Sequence, residues 1–144
     1  MTGGDTDPNT SYISDVLEYN TVAQQWQPAS TWPQLETARR FHGCAVVGST
    51  AVVAGGAGGG ASTELFNLVT KARIPGGALQ SARYVKLVSV GSGSLLRILA
   101  FGNDLVEEWQ EETATWKEAG RLEESRGSAY MGAVVVTEGL VCKK

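Results

Sequence analysis

Arg39-Arg40-Phe41-His42-Gly43-Cys44-Ala45-Val46-Val47-Gly48-Ser49-Thr50-Ala51-Val52-Val53-Ala54-Gly55-Gly56 is the stretch on which the fold turns. Residues 44–47 and 51–54 are short apolar runs, closed by Gly48-Ser49 and by Gly55-Gly56. Runs this short, punctuated by glycine turns, read as strands, and their nearly continuous apolar character fits strands packed on both faces. Downstream, Glu64-Leu65-Phe66-Asn67-Leu68 alternates polar and apolar, as a strand with one buried face does. A fourth run, 71–74, ends at Pro75-Gly76-Gly77. Four short strands with glycine turns make one antiparallel sheet.

The unit recurs. Before Arg39 stand Gly3-Gly4, then Asp15-Val16-Leu17-Glu18-Tyr19-Asn20, then Trp26. After Gly55-Gly56 come Thr63-Glu64-Leu65-Phe66-Asn67 and Arg83, and after Phe101-Gly102-Asn103 come Leu105-Val106-Glu107-Glu108-Trp109, Trp116 and Arg126. The glycine landmarks Gly3, Gly55 and Gly102 fall 52 and 47 residues apart, and Arg39, Arg83 and Arg126 fall 44 and 43 apart. A period of about 45–50 residues with four strands each is that of propeller blades.

The acidic-aromatic strand, the tryptophan, the arginine and the double glycine resemble the kelch repeat, most clearly over residues 12–56. The second repeat departs from it in having no tryptophan near Ala72, and the third has Gly102-Asn103 for the double glycine. The resemblance implies an all-β fold of kelch-type β-propeller blades, each a four-stranded antiparallel sheet. It divides the chain into the trailing half of a blade (1–38), two blades (39–82 and 83–125) and the leading half of another (126–144). About three blades make an incomplete ring, since closed propellers have four to eight. The chain is then a fragment of a larger propeller, or two copies join trailing half to leading half into a homodimeric six-bladed ring.

Each marker has a structural task in this reading. Glycines after a strand supply the positive φ of a tight turn. Trp26 and Trp116 bury large faces between neighbouring sheets, and the arginines bridge carbonyls and carboxylates near the inner strands.

Composition agrees with a turn-rich globular chain. Of 144 residues 18 are glycine, 42% are hydrophobic and 19% charged. A net charge of −3 gives no electrostatic footprint for nucleic acid or an anionic membrane. No segment approaches the ~18 consecutive apolar residues of a membrane span, and the polar first twelve residues are no signal peptide. Cys44 and Cys142 are far apart in apolar settings, read as buried free thiols, and no Cys/His cluster has zinc spacing. A cytoplasmic protein is expected.

Several motifs fit chemistry only formally. Residues 56–61, Gly-Ala-Gly-Gly-Gly-Ala, match a dinucleotide-loop pattern, but the segment that should be helix is broken by Asn67, Pro75, Gly76 and Gly77, and position 80 is Gln. His42 is the sole histidine, with no serine in a nucleophile elbow. One histidine also cannot supply the ligands of copper-oxidase propellers. Glu107, Glu108, Glu111 and Glu112 lack the alternating spacing of a calcium loop and read as a solvated face. Residues 104–126 hold helix formers but no single apolar stripe, so strands are expected there.

No catalytic, metal or cofactor site is therefore assigned. The resemblance implies a non-catalytic scaffold or adaptor that binds protein partners through loops on one face; the alternative is a piece of a propeller enzyme acting on a sugar or other small molecule. The loops concerned are 5–11, 57–62 and the connections into Arg39, Arg83 and Arg126. Candidate protein-binding residues are Trp32, in the 29–38 connection, and Arg39, Arg40, Arg83 and Arg126.

Overall fold

The structure, a computed structural model, describes residues 2–5, 11–80 and 84–126. They form an open stack of antiparallel sheets; the only helices among them are two single 3-10 turns. In the first unit β1 (Thr2–Asp5) pairs with β2 (Tyr12–Val16), and β3 (Tyr19–Asn20) with β4 (Gln25–Trp26). The central sheet is a four-stranded meander: β5 (Gly43–Val47), β6 (Thr50–Ala54), β7 (Thr63–Asn67) and β8 (Arg73–Gly76). The third sheet has the order β11 (Thr115–Arg126), β10 (Arg97–Gln110), β9 (Lys86–Val90). Among the described residues no helix is long and apolar enough to cross a membrane.

The middle strands β6 and β7 bury both faces, as the apolar run of β6 predicts, whereas the apolar run of β5 leaves Cys44 and Val46 exposed on one face. Val52, Ala54 and Leu65 pack with Val85, Ile98, Ala100, Trp109 and Trp116 of the third repeat. The alternate residues Ala51, Val53 and Phe66 pack with Val16, Trp32 and Leu35 of the first unit. Side chains change face at every step along a strand, so β6 and β7 serve both neighbours at once. The inner strands β5 and β9 lie side by side, with Ser89 Oγ donating to Val46 O at 2.7 Å. Gly43 is required here by the close approach of the two strands rather than by its φ: a Cβ would sit 2.6 Å from Leu87 Cγ and 2.9 Å from Leu87 N.

One hairpin occurs three times. Tyr19 lies opposite Trp26, Phe66 opposite Arg73, and Trp109 opposite Trp116. Two residues before the second member of each pair the chain turns left-handed, at Gln24 (φ 52), Lys71 (φ 57) and Ala114 (φ 51). Asn20 and Asn67 close the first two turns by accepting from the amides of Val22 and Ala23, and of Val69 and Thr70. The tryptophan position expected to be empty near Ala72 is thus occupied one residue later, by Arg73.

The third repeat departs from four separate strands. Eight residues lie between Ala54 and Thr63, but only four between the corresponding Phe101 and Val106. With too little chain to fold back, the two middle strands run on as the single 14-residue β10. Its first half pairs with β9 and its second with β11, with irregular register between Asn103 and Leu105 and between Val106 and Glu107. Blade 83–125 is therefore three-stranded among the described residues. Of the half-blade 126–144, all but Arg126 lies outside them.

Candidate functional site

The junction between the first unit and the central sheet is fixed by backbone bonds around Arg39 and Arg40. Gly4 N donates to Arg39 O at 3.0 Å, Arg39 N to Ile13 O at 3.2 Å, and Arg40 and Ala57 exchange bonds of 3.1 and 2.8 Å. Gly56 (φ 91) must lack a side chain, because a Cβ would stand 2.6 Å from Arg40 O.

Arg39 is fully buried, which removes it from any binding face and corrects its assignment as a partner contact. Its guanidinium donates to Thr37 O, Gly55 O, Ser62 O and Ser62 Oγ, and pairs with Glu64 Oε1 at 2.6 Å. Glu64, equally buried, also accepts from the amides of Glu36 (2.7 Å) and Thr37 (3.3 Å) and from Arg73 Nη1 (3.3 Å). The pair locks the 29–38 connection onto β6 and β7, and Arg73 serves it from the position that carries tryptophan in the other hairpins. Glu107 repeats the scheme, accepting from Gln80 N at 2.9 Å. Burial pushes its carboxyl above the usual range, nearby Glu118 adds to the effect, and the Gln80 amide opposes it. Arg83 follows Gln80 by three residues, as Arg39 follows Glu36, and lies outside the described residues.

His42 stands between the two glycine pairs, its Nε2 2.8 Å from Thr2 Oγ1. Burial, with the charges of Arg39 and Lys86, lowers its pKa to about 4, so the ring is neutral at pH 7. It is a packing histidine.

Arg40 is half-buried beside the exposed Phe41. Its guanidinium lies 5.0 Å from the Tyr12 ring centroid and 5.1 Å from that of Phe41. Phe41, 45% exposed, meets Tyr84 edge-on at 6.1 Å and has φ 57, a conformation costly for an aromatic residue. Tyr12, Arg40-Phe41 and Tyr84 come from three successive repeats and meet at this junction. Of this cluster the sequence pointed only to Arg40. The tyrosines lie 72 positions apart and carry no local signal of their meeting.

Neither a protein-family model nor a curated protein matches this chain.

Trp32 is half-buried within its own chain. Its Nε1 donates to Glu18 Oε2 at 2.8 Å, its ring meets Phe66 edge-on at 6.2 Å, and Lys71 Nζ lies 5.1 Å from its centroid. Lys71 also pairs with Glu18 at 2.9 Å and, with Trp32, holds that exposed carboxyl below its ordinary pKa. Trp32 is a wall of a 260 Å³ apolar pocket between the first unit and the central sheet, shared with Thr2, Val16, Cys44, Val53 and Phe66. Cys44 is exposed, against the expectation of burial, though its surroundings desolvate the sulfur enough to push its thiol up. The inner strand of a neighbouring sheet covers the other side of β5 but not this one. Arg126 ends β11 with its backbone opposite Asn103; Cys142 and most of loop 5–11 lie outside the described residues.

Proposed function

We propose that this chain is a non-catalytic protein-interaction scaffold built of kelch-type propeller repeats, working in the cytoplasm, and that its partner docks on the Tyr12–Arg40–Phe41–Tyr84 cluster. The observation that carries the reading is Phe41: a large ring left exposed, in a strained backbone conformation, where three repeats converge. Residues held in such conformations tend to cluster at functional sites. Aromatic and arginine side chains are also the types that dominate binding energy at interfaces. Arg40 stacked on Tyr12 keeps the ring's surroundings rigid, which lowers the entropy lost on docking.

Affinity capture with the immobilised chain tests this. A stable protein partner should be retained, and its binding should weaken at least tenfold for Phe41→Ala and for Arg40→Ala, while Trp32→Ala binds as the parent does. Equal retention by Phe41→Ala, with the far-UV spectrum unchanged, would move the interface elsewhere. Turnover of a sugar substrate by the purified protein would overturn the non-catalytic reading.

A further inference from the structure

His42 is clamped between glycines that belong to different repeats. A Cβ on Gly3 of β1 would sit 2.9 Å from the ring's Cε1 and 3.4 Å from its Nδ1, and one on Gly56 would sit 2.9 Å from His42 Cβ. The residue therefore touches the backbone of the first unit on one side and that of the central sheet on the other. Its Nε2 is 2.8 Å from Thr2 Oγ1, while Nδ1 is buried with no hydrogen-bond partner among the described residues. The neutral ring thus carries its hydrogen on Nε2 and donates it to Thr2, leaving Nδ1 bare. A protonated ring has two N–H donors, and the one on Nδ1 would be buried without an acceptor.

The charges around the ring also oppose a proton. Arg39 and Lys86 of β9 both repel it, and Arg40 adjoins it in the junction. Glu64 of β7 attracts it, but that carboxylate is already paired with Arg39 and Arg73. The Cys44 thiol of β5 shares the Thr2 hydroxyl and stays neutral, because burial pushes its pKa up. Beside His42 the first unit is tied on by backbone bonds from Gly4 N to Arg39 O and from Arg39 N to Ile13 O, with Leu35 N to Ser14 O further along. These bonds end on β1 and β2, the strand pair that carries Thr2 and Gly3.

We propose that His42 is an acid-sensitive latch: when its ring takes up a proton on Nδ1, β1 and β2 part from the central sheet while β5 to β8 stay folded. Parting lets water reach Nδ1, where the ring titrates near its ordinary 6.5 rather than near 4. The open form therefore binds more protons between these values, and the closed form is favoured above pH 6.5 and loses its advantage as pH falls toward 4. Tyr12 stands on β2, so opening also takes it away from Arg40. Release of a bound partner in acid is the consequence, and that consequence alone rests on the proposed docking cluster.

Hydrogen–deuterium exchange of the full chain, resolved by residue and corrected for intrinsic rates, tests the latch between pH 6.5 and 4.5. The amides of Gly4 and Arg39 should show an opening constant that rises roughly fortyfold over this range. It should exceed the opening constant of the β6 amides at least tenfold throughout. His42 is the sole histidine, so its ring resonances titrate without overlap and should give a midpoint near 4. His42→Gln keeps a donor for Thr2 and takes up no proton, so its opening constant should change less than threefold. Lys86→Met removes one repelling charge; it should raise the His42 midpoint and shrink the rise, and it serves if His42→Gln does not fold. Three results overturn the latch: a parent His42 that titrates near 6.5, exchange of Gly4 and Arg39 that ignores pH, or opening constants equal to those of β6, which would make the first unit part only with the whole molecule. Acid opening without release of a bound partner would leave the latch standing and sink the docking cluster instead.

Discussion

Arg39 brings a charge into a site without water, and five hydrogen bonds from its guanidinium are what make that tolerable. Removing one member of a buried pair leaves the other uncompensated, so Arg39→Met should cost about 3–5 kcal/mol. Adding Glu64→Gln to that variant should recover part of the loss, since the stranded carboxylate disappears. Urea unfolding of the two single variants and the double one checks this; additive costs would show the pair to be uncoupled. His42 carries a pH dependence of definite sign. Its folded pKa of about 4 lies below the ordinary 6.5, so between these values the unfolded chain binds more protons. Its contribution is intact above pH 6.5 and is lost as pH falls toward 4, by up to about 3 kcal/mol. His42→Gln should flatten that part of the profile in urea midpoints measured from pH 7 to 4. A bridging task for Arg39 was legible in the order of the repeat, but its complete burial was not, and its place there also reads as a partner contact. The exposure of Cys44 was not legible either, since it depends on whether a neighbouring sheet lies over β5.

The repeated hairpin sets the behaviour of the elements. Each copy places one residue in the left-handed region, and none of the three is glycine. Ala114 has neither the freedom of glycine nor a side-chain amide to bond locally, so Ala114→Gly should raise stability by about 0.5–1 kcal/mol in thermal unfolding. A lower midpoint would mean that the Ala114 methyl group packs usefully. The sequence showed the strands and their turns because glycine and apolar runs are local signals. It hid Arg73, which stands opposite Phe66 at the place tryptophan takes in the other two hairpins, because an arginine there does not look like a tryptophan position. It also hid the fusion in β10: Gly102-Asn103 looks like a strand-ending turn, and only the number of residues between pairing partners shows that the chain cannot double back.

At the scale of the molecule, burial of an aromatic residue is decided by its sheet's neighbours. Trp116→Ala should cost about 3–5 kcal/mol. Trp26→Ala should cost under about 1 kcal/mol, because solvent already reaches it. Comparable losses in chemical unfolding would show the first unit's outer face to be covered. The all-β character and the four antiparallel strands of the central sheet were readable in advance, since they rest on short apolar runs and glycine turns; four strands per repeat did not hold in the third. The meeting of Tyr12, Arg40, Phe41 and Tyr84 was not, because only the stacking of three repeats creates it.

Because β10 is shared between two pairings, β9 and β11 are mechanically one. Fraying from either edge soon reaches a strand that the other edge still holds, so the third sheet should open as a single event. Backbone amides of β9 and β11 should then exchange with solvent deuterium at a common limiting free energy, although the two strands never touch in the sheet order. The two-residue β3 and β4 should exchange far faster. Independent exchange of β9 and β11 would locate a hinge at Asn103, where the strand's φ of 53 breaks the extended path.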